Sequence, residues 1–142
     1  MIVLDANILL YAYDKTSVHY AKARECVERV FSGGELVGMP WQTVAAFLRV
    51  ITNSRLPGER FTIAQAAQVV SSWIEQPNVR MLAPGEHHGP LLSQMLVDGQ
   101  ARGPLVTNAQ LAALTIESGG VLYTTDRGFA RFPGLRWTNP LE

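Results

Sequence analysis

Two aspartates near opposite ends of the chain each follow a short apolar segment that resembles a buried strand. Asp5 comes directly after residues 1–4, and Asp126 comes directly after residues 121–125. Open α/β sheets place their ligand chemistry at the carboxyl ends of strands, so the two side chains could meet at one edge of a parallel sheet. Paired carboxylates at such an edge bind divalent metal ions through oxygen. The two positions therefore indicate a metal-ion site.

Length and composition are those of one folded domain over residues 1–142. The chain is 47% hydrophobic and 17% charged, which is typical of a globular protein and excludes a disordered one. Its 12 basic and 12 acidic residues cancel, so no global positive charge indicates a nucleic-acid binder, although local patches remain possible. Cys26 is the only cysteine, which excludes an internal disulfide and a cysteine-based zinc site. We expect no signal peptide and no membrane span, and therefore a cytoplasmic protein.

The hydrophobic period switches repeatedly between strand-like and helix-like, which predicts alternating elements. Predicted strands cover residues 1–4, 36–39, 79–82 and 121–125. Predicted helices cover residues 8–13, 16–31, 41–52, 62–76 and 89–97, with another around 111–115 that Gly119 and Gly120 end. Thr16 or Ser17 is the predicted cap of the second helix, Pro40 suits the first turn of the third, and Thr62 caps the fourth. This alternation predicts an α/β domain with a mostly parallel sheet covered on both faces.

Four segments, in order along nearly the whole chain, resemble the motifs of PIN domains, and closely those of the toxin subunit of VapBC-type toxin–antitoxin pairs. They are residues 2–13, 41–50, 106–114 and 124–129. The resemblance implies a single PIN domain with a three-layer α/β/α fold. It also implies a type II toxin that cuts RNA endonucleolytically with Mg²⁺ or Mn²⁺. The partners it implies are a cognate antitoxin, a tRNA or rRNA substrate and a second copy in a homodimer.

The resemblance also assigns site residues. Four acids surround the metal in that family: the first maps to Asp5, the fourth to Asp126, the second (normally Glu) to Ala46, and the third (normally Asp) to Asn108. Asp5, Asn108 and Asp126 are then the expected metal ligands. Asn7, by hydrogen bonding to an acid, and Thr124 or alternatively Thr125, by orienting Asp126 through a hydroxyl, are the expected supporting residues.

Two of these positions depart from the family pattern in a way that affects the chemistry. Asn108 keeps one neutral oxygen, whereas Ala46 has no ligand atom, so the site loses two negative charges. We therefore expect weakened metal binding and reduced or absent cleavage. One explanation is deliberate inactivation, because asparagine for aspartate and alanine for glutamate are the replacements an experimenter would choose to silence such a site. The alternative is a naturally degenerate, noncatalytic PIN module that still binds antitoxin or RNA.

Ordinary structural roles compete with each assignment to the site. Asp5 and Asn108 could cap helices, and Asp126 could begin a turn. The adjacent His87 and His88 face different directions on a helix, so solvent exposure is the better interpretation than a metal pair.

RNA-contacting roles also have competitors. Arg49, Arg55 and Arg127 could contact RNA phosphates, but surface ion pairs explain them equally well. Four aromatic residues could stack on bases, although core packing is the better interpretation for most of them: Trp41, Phe47, Trp73 and Phe129.

Overall fold

The computed structural model describes residues 1–142 as five strands, six α-helices and one 3₁₀ helix. The strands are β1 (Ile2–Leu4), β2 (Val37–Pro40), β3 (Val79–Leu82), β4 (Val121–Tyr123) and β5 (Trp137–Thr138). The α-helices are α1 (Ala6–Ala12), α2 (Tyr20–Ser32), α3 (Trp41–Ile51), α4 (Ile63–Ile74), α5 (His88–Asp98) and α6 (Leu105–Ser118). The 3₁₀ helix covers Arg127–Arg131. No helix combines the length and the apolar character needed to cross a membrane.

All strand pairs are parallel, in the order β3-β2-β1-β4-β5. The chain therefore builds the sheet outward from β1 through β2 to β3, and then returns to the other side of β1 for β4 and β5. Sheets of this kind bind ligands where the direction of building reverses, beyond the carboxyl ends of the strands. Here that point lies between β1 and β4, the two strands that precede Asp5 and Asp126.

The sheet is covered on both faces, because successive side chains of β1 point to opposite sides. Ile2 and Leu4 belong to a core shared with α1, α2, α3 and α4. Val3 belongs to a second core, shared with α5, α6 and the 3₁₀ helix. This three-layer α/β/α arrangement confirms the fold expected from the sequence. Cys26 is buried in the first core, where it packs as a small apolar side chain.

Local sequence signals set several element boundaries. Thr62 caps α4 in a capping box: its hydroxyl accepts from the Gln65 amide at 3.2 Å, and Gln65 Oε1 accepts from the Thr62 amide at 2.9 Å. Gly119, with φ of 72°, ends α6 in the left-handed conformation that glycine adopts most readily. Both predictions are confirmed.

The prediction that Thr16 or Ser17 caps α2 is wrong. The helix begins later, at Tyr20, and His19 precedes it without a side-chain cap. The Thr16 amide and hydroxyl both donate to Asp14, and Ser17 Oγ accepts from the His19 amide at 3.1 Å. These hydroxyls stabilise a turn before the helix, an alternative role of the residue types that favour caps.

Helix α3 begins at Trp41, as predicted, but the role of Pro40 and the last strand differ from the prediction. Pro40 is extended and precedes α3, so it ends β2 instead of starting the helix. Strand β5 was not predicted, because two residues are too few to show a hydrophobic period. It pairs with β4 and extends the sheet beyond the site.

Candidate functional site

Asp5 lies at the carboxyl end of the central strand and begins α1. Its amide donates to the Tyr123 carbonyl at 3.1 Å, which joins the ends of β1 and β4. Its Oδ1 accepts from the Ala6 amide at 2.8 Å, so the helix-cap role considered from the sequence is present. A carboxylate has about four lone-pair sites, and capping therefore leaves acceptor capacity for another ligand.

Thr124 connects the two aspartates. Its hydroxyl donates to Asp5 Oδ2 at 2.7 Å and accepts from the Asp126 amide at 3.0 Å. The Thr124 side chain is fully buried, so water does not compete for these bonds. One hydroxyl thus fixes the Asp5 carboxylate and the backbone that carries Asp126. From the sequence we expected the Thr124 hydroxyl to orient Asp126. Its hydrogen bond to Asp5 was not expected.

Asp126 also begins the 3₁₀ helix. Its Oδ1 accepts from the Gly128 amide at 2.8 Å, which is the turn role considered from the sequence. The residue is exposed, whereas Asp5 is half-buried. Burial raises the pKa of Asp5, the hydrogen bonds from Thr124 and Ala6 lower it, and the charge of Asp126 raises it. The two carboxylates are therefore close enough to repel each other.

A cavity of about 340 Å³ opens beside Asp5, and we call it the site cavity. Its walls come from α3 and α6, and they include Ala46 and Asn108 respectively. Asp126 is not among the lining residues and is connected to the cavity through Thr124 and Asp5. The fold thus brings three of the four acid positions of the sequence analysis to one cavity, and Thr124 connects the fourth, Asp126, to Asp5.

Side chains without an assigned role hold the cavity walls together. Gln42 Nε2 donates to the Thr107 carbonyl at 3.1 Å and joins α3 to α6. The buried Thr43 hydroxyl donates to the Leu4 carbonyl at 2.8 Å and joins α3 to β1. Sequence reasoning missed Gln42 and Thr43, although the signal was available. They precede position 46 by four and three residues, the spacing of one helix face.

Two expectations about asparagines need correction. The Asn7 side chain makes no hydrogen bond to either aspartate, and its Oδ1 is buried without a partner. Asn108 does not cap α6, because Pro104 occupies the cap position and Asn108 is the fourth residue of the helix. Its side chain makes no hydrogen bond and instead lines the site cavity.

The donor atoms available here fit a hard cation. Asp5, Asn108 and Asp126 offer oxygen only, the ligand type that Mg²⁺ and Mn²⁺ prefer. Mg²⁺ needs one or two protein carboxylates when water and substrate phosphate complete its shell. No three Asp, Glu, His or Cys side chains cluster anywhere in the chain, so the set is sparse. The residues fit a weakly held divalent ion.

The histidine pair lies away from the site cavity, at the start of α5. The His87 side chain is 77% exposed, as expected, but that of His88 is only 13% exposed and lies near Glu117. Glu117 accepts from the Gly85 and His87 amides at 3.0 Å each, so it holds the loop before α5. Solvent exposure is thus wrong for His88, because the helix turns that side chain toward α6.

Among the arginines and aromatic residues considered for RNA binding, some make structural contacts and others are free to bind a ligand. Arg127 forms an ion pair with Glu142 at 2.8 Å, whereas Arg49 forms none and lines the site cavity. Phe47, Trp73 and Phe129 are buried, as core packing predicts. Trp41 alone among the four aromatic candidates is exposed.

Comparisons with known proteins agree with this geometry. The PIN domain family matches residues 2–135. Ribonuclease VapC43 of Mycobacterium tuberculosis is 36% identical over 142 residues, with 100% of this chain and 97% of the relative covered. Ribonuclease VapC37 of the same organism is 33% identical over 140 residues, with 99% and 97% covered.

Solved structures show the same fold. VapBC-1 from nontypeable Haemophilus influenzae superposes with a TM-score of 0.68 at 22% identity, with 100% of both chains covered. VapBC2 from Rickettsia felis, bound to a DNA fragment from its promoter, gives a TM-score of 0.69 at 17% identity and covers 98% of both chains. Together with the full-length sequence relatives, these matches establish that the chain belongs to the PIN-domain family and, within it, to the VapC ribonucleases.

Proposed function

We propose that this protein is the toxin of a type II toxin–antitoxin system, built to hydrolyse RNA phosphodiester bonds and impaired by Ala46 and Asn108. One observation carries the proposal. Asp5, Ala46 and Asn108, from three different elements, line one cavity, and Thr124 links Asp5 to Asp126. A four-acid metal site would need this placement. Asp5 lines the cavity and Asp126 is joined to it through Thr124, whereas the two inner acids are replaced by Ala46 and Asn108. The ribonuclease relatives support the reaction class.

Asp5, Asn108 and Asp126 would hold Mg²⁺ or Mn²⁺. The bound ion would activate water and stabilise charge on the phosphate. Thr124 keeps Asp5 oriented by donating to Oδ2, which leaves the remaining lone pairs of the carboxylate for the ion. Gln42 and Thr43 keep α3 at a fixed distance from α6 and β1, so that position 46 faces the cavity.

The same geometry explains the impairment. A glutamate at position 46 would extend a carboxylate from α3 into the site cavity, where Ala46 now leaves only a methyl group. Asn108 supplies an oxygen but no charge and accepts no proton from water. Fewer negative ligands weaken the attraction for a divalent cation, and general-base assistance is lost.

The same relatives and neighbours support part of the biological setting that we propose. Two solved neighbours, from Rickettsia felis and Haemophilus influenzae, are VapBC structures, which supports a cognate antitoxin as partner of this chain. We further propose that the toxin forms a homodimer, acts in the cytoplasm and cuts tRNA or rRNA. One neighbour, VapC20 of Mycobacterium tuberculosis, is described as a toxin that cleaves the sarcin–ricin loop.

Restoring the acids tests the function. The double variant Ala46→Glu with Asn108→Asp is incubated with total tRNA and rRNA in Mn²⁺, and new RNA ends are mapped. We expect discrete cuts that the parent chain makes much more slowly or not at all. The matched control adds Asp126→Asn to the double variant and should abolish them. Absence of cleavage by the restored protein on every RNA would contradict the assignment.

A noncatalytic binding module is the second candidate. It is favoured by the finding that no three metal-binding side chains cluster in the chain. Under this alternative, parent and restored proteins bind antitoxin or RNA equally and neither cuts RNA. The same experiment therefore separates the two candidates.

A further inference from the structure

Trp41 is a large aromatic side chain that the core does not use. It is the first residue of α3, and 53% of its surface is exposed. Exposure of an indole costs hydrophobic free energy that burial would recover. Phe47, six residues further along the same helix, is fully buried in the first core. The exposure of Trp41 is therefore a property of its position on the helix, on the side away from that core.

Trp41 belongs to one stripe of α3 together with Ala45 and Arg49. The three residues are spaced by four positions, so they follow one another along a single helix face. All three are exposed, and Ala45 and Arg49 line the site cavity beside Asp5. At 1.5 Å per residue the stripe is about 12 Å long. It therefore extends from the cavity to the exposed indole one turn beyond Ala45.

Arg49 is a free cation at the other end of this stripe. Its guanidinium forms neither an ion pair nor a hydrogen bond with any residue of the chain, whereas Arg24, Arg29, Arg60 and Arg127 all have a carboxylate partner. The side chains of Arg55 and Arg102 are also unpaired, but only Arg49 of these three lines the site cavity. An unpaired guanidinium suits a phosphate, which it can bind in a bidentate manner. The stripe thus offers a cation and a flat aromatic face, with a small residue between them that leaves room for a ligand.

We propose that this stripe is the RNA track of the protein: an unstacked base packs on the Trp41 indole while Arg49 binds a backbone phosphate beside the site cavity. The proposal rests on the proposed ribonuclease function and specifies how the site holds its substrate. Aromatic stacking combined with positive charge is the usual means of binding single-stranded nucleic acid. A protein surface would match the indole but would not account for the unpaired Arg49 beside a phosphodiester site.

RNA affinity of the parent chain is the appropriate readout. Because Ala46 and Asn108 impair hydrolysis in this chain, RNA binding can be measured without cleavage of the RNA. A fluorescent single-stranded RNA oligonucleotide is titrated in chelator at low salt, with anisotropy as the signal. Loss of one base–aromatic stack, in Trp41→Ala, should weaken binding by about 5- to 150-fold. Trp41→Phe should retain most of the affinity, since it keeps an aromatic face.

Ile63→Ala is the matched control for Trp41→Ala. Ile63 is also the first residue of a helix, is 65% exposed and lies outside the site cavity, so its loss should leave RNA affinity unchanged. Arg49→Ala should weaken binding and reduce the slope of log affinity against log salt by about 0.7, the value for one phosphate contact on a single strand. RNA binding should quench the tryptophan emission of the parent, and this quenching should be lost in Trp41→Phe.

The inference is overturned if the parent chain binds no RNA, or if Trp41→Ala binds within twofold of the parent. It is also overturned if sedimentation shows that Trp41→Ala converts a dimer to a monomer and Trp41→Phe does not restore RNA affinity; the indole then belongs to an interface between copies. Cleavage by the acid-restored protein that does not depend on Trp41 would reject the track and leave the ribonuclease function standing. RNA binding that depends on the indole, without cleavage by the acid-restored protein, would support the track and reject the ribonuclease function.

Discussion

The Thr124 hydroxyl donates to Asp5 Oδ2 at 2.7 Å, across the boundary between β4 and β1. Thr124 Oγ1 also accepts from the Asp126 amide, at 3.0 Å. A single buried hydroxyl therefore couples the two aspartates at the point where the order of sheet building reverses. Without it, Asp5 Oδ2 would lose its only protein donor and the Asp126 amide would lose its acceptor.

Thr124→Val removes that hydroxyl at nearly constant volume. We predict a loss of about 1–3 kcal/mol in the free energy of unfolding, because a charged acceptor and an amide both lose their partner. Urea denaturation measures the loss. Thr125→Val is the control: its hydroxyl makes no hydrogen bond in the structure, so stability should change by less than about 0.5 kcal/mol. Equal effects of the two variants would contradict the bridging role of Thr124.

Because Asp5 is half-buried, the free energy of unfolding should depend on pH through the pKa of its carboxyl group. Burial raises its folded-state pKa above the ordinary value of 3.8, so between the two values the folded protein holds a proton that the unfolded chain has released. Stability contributed by this group is therefore present at low pH and is lost as pH rises through the folded pKa.

Asp5→Asn removes this titration and provides the comparison. We predict that the melting temperature of the parent, minus that of Asp5→Asn, falls as pH rises above 3.8 and then reaches a plateau. Both proteins are measured in chelator by calorimetry from acid to neutral pH. A difference that rises with pH would mean that the hydrogen bonds from Thr124 and Ala6 outweigh burial.

Restoring the two inner acids should lower stability when no metal is present. Carboxylates about 4 Å apart repel by roughly 4 kcal/mol at an effective dielectric of 20, and Ala46→Glu with Asn108→Asp adds two beside Asp5. We predict a lower melting temperature than the parent in chelator and a steeper rise with added Mn²⁺, because the ion neutralises the cluster.

The control for that variant adds the same two charges elsewhere. Ala67→Glu with Asn53→Asp places them at exposed positions outside the site cavity. The control should change little in chelator and should respond to Mn²⁺ like the parent. Identical melting curves for control and restored proteins, with and without metal, would contradict a shared site.

Much of the fold was predictable because its signals are local. Strand β1 is short, apolar and followed by a polar residue, and Thr62 and Gly119 occupy positions where hydroxyls and glycine satisfy helix ends. The start of α2 and strand β5 were not predictable. One depends on which of several local hydrogen bonds the Thr16 and Ser17 hydroxyls make, and the other on pairing with β4.

The site was predictable in part, for a related reason. Alternating strands and helices predicted the parallel sheet, whereas the strand order that places β4 beside β1, and so brings Asp5 and Asp126 together, is known only from the structure. Helix-face spacing places Gln42 and Thr43 near position 46, but their partners Thr107 and Leu4 are distant in sequence, so the local pattern does not identify the two bonds. The absence of a bond from Asn7 to an acid is equally a matter of tertiary geometry.

A Mn²⁺ titration by calorimetry tests most directly whether Asp5, Asp126 and positions 46 and 108 serve one ion. Four proteins are compared: the parent, Ala46→Glu, Asn108→Asp and the double variant, with Asp126→Asn in the double background as control. We predict the tightest binding in the double variant, by roughly tenfold or about 1.4 kcal/mol over the parent, and its loss in the control. The same dissociation constant in all four proteins, or binding that does not depend on Asp126, would contradict a common metal site.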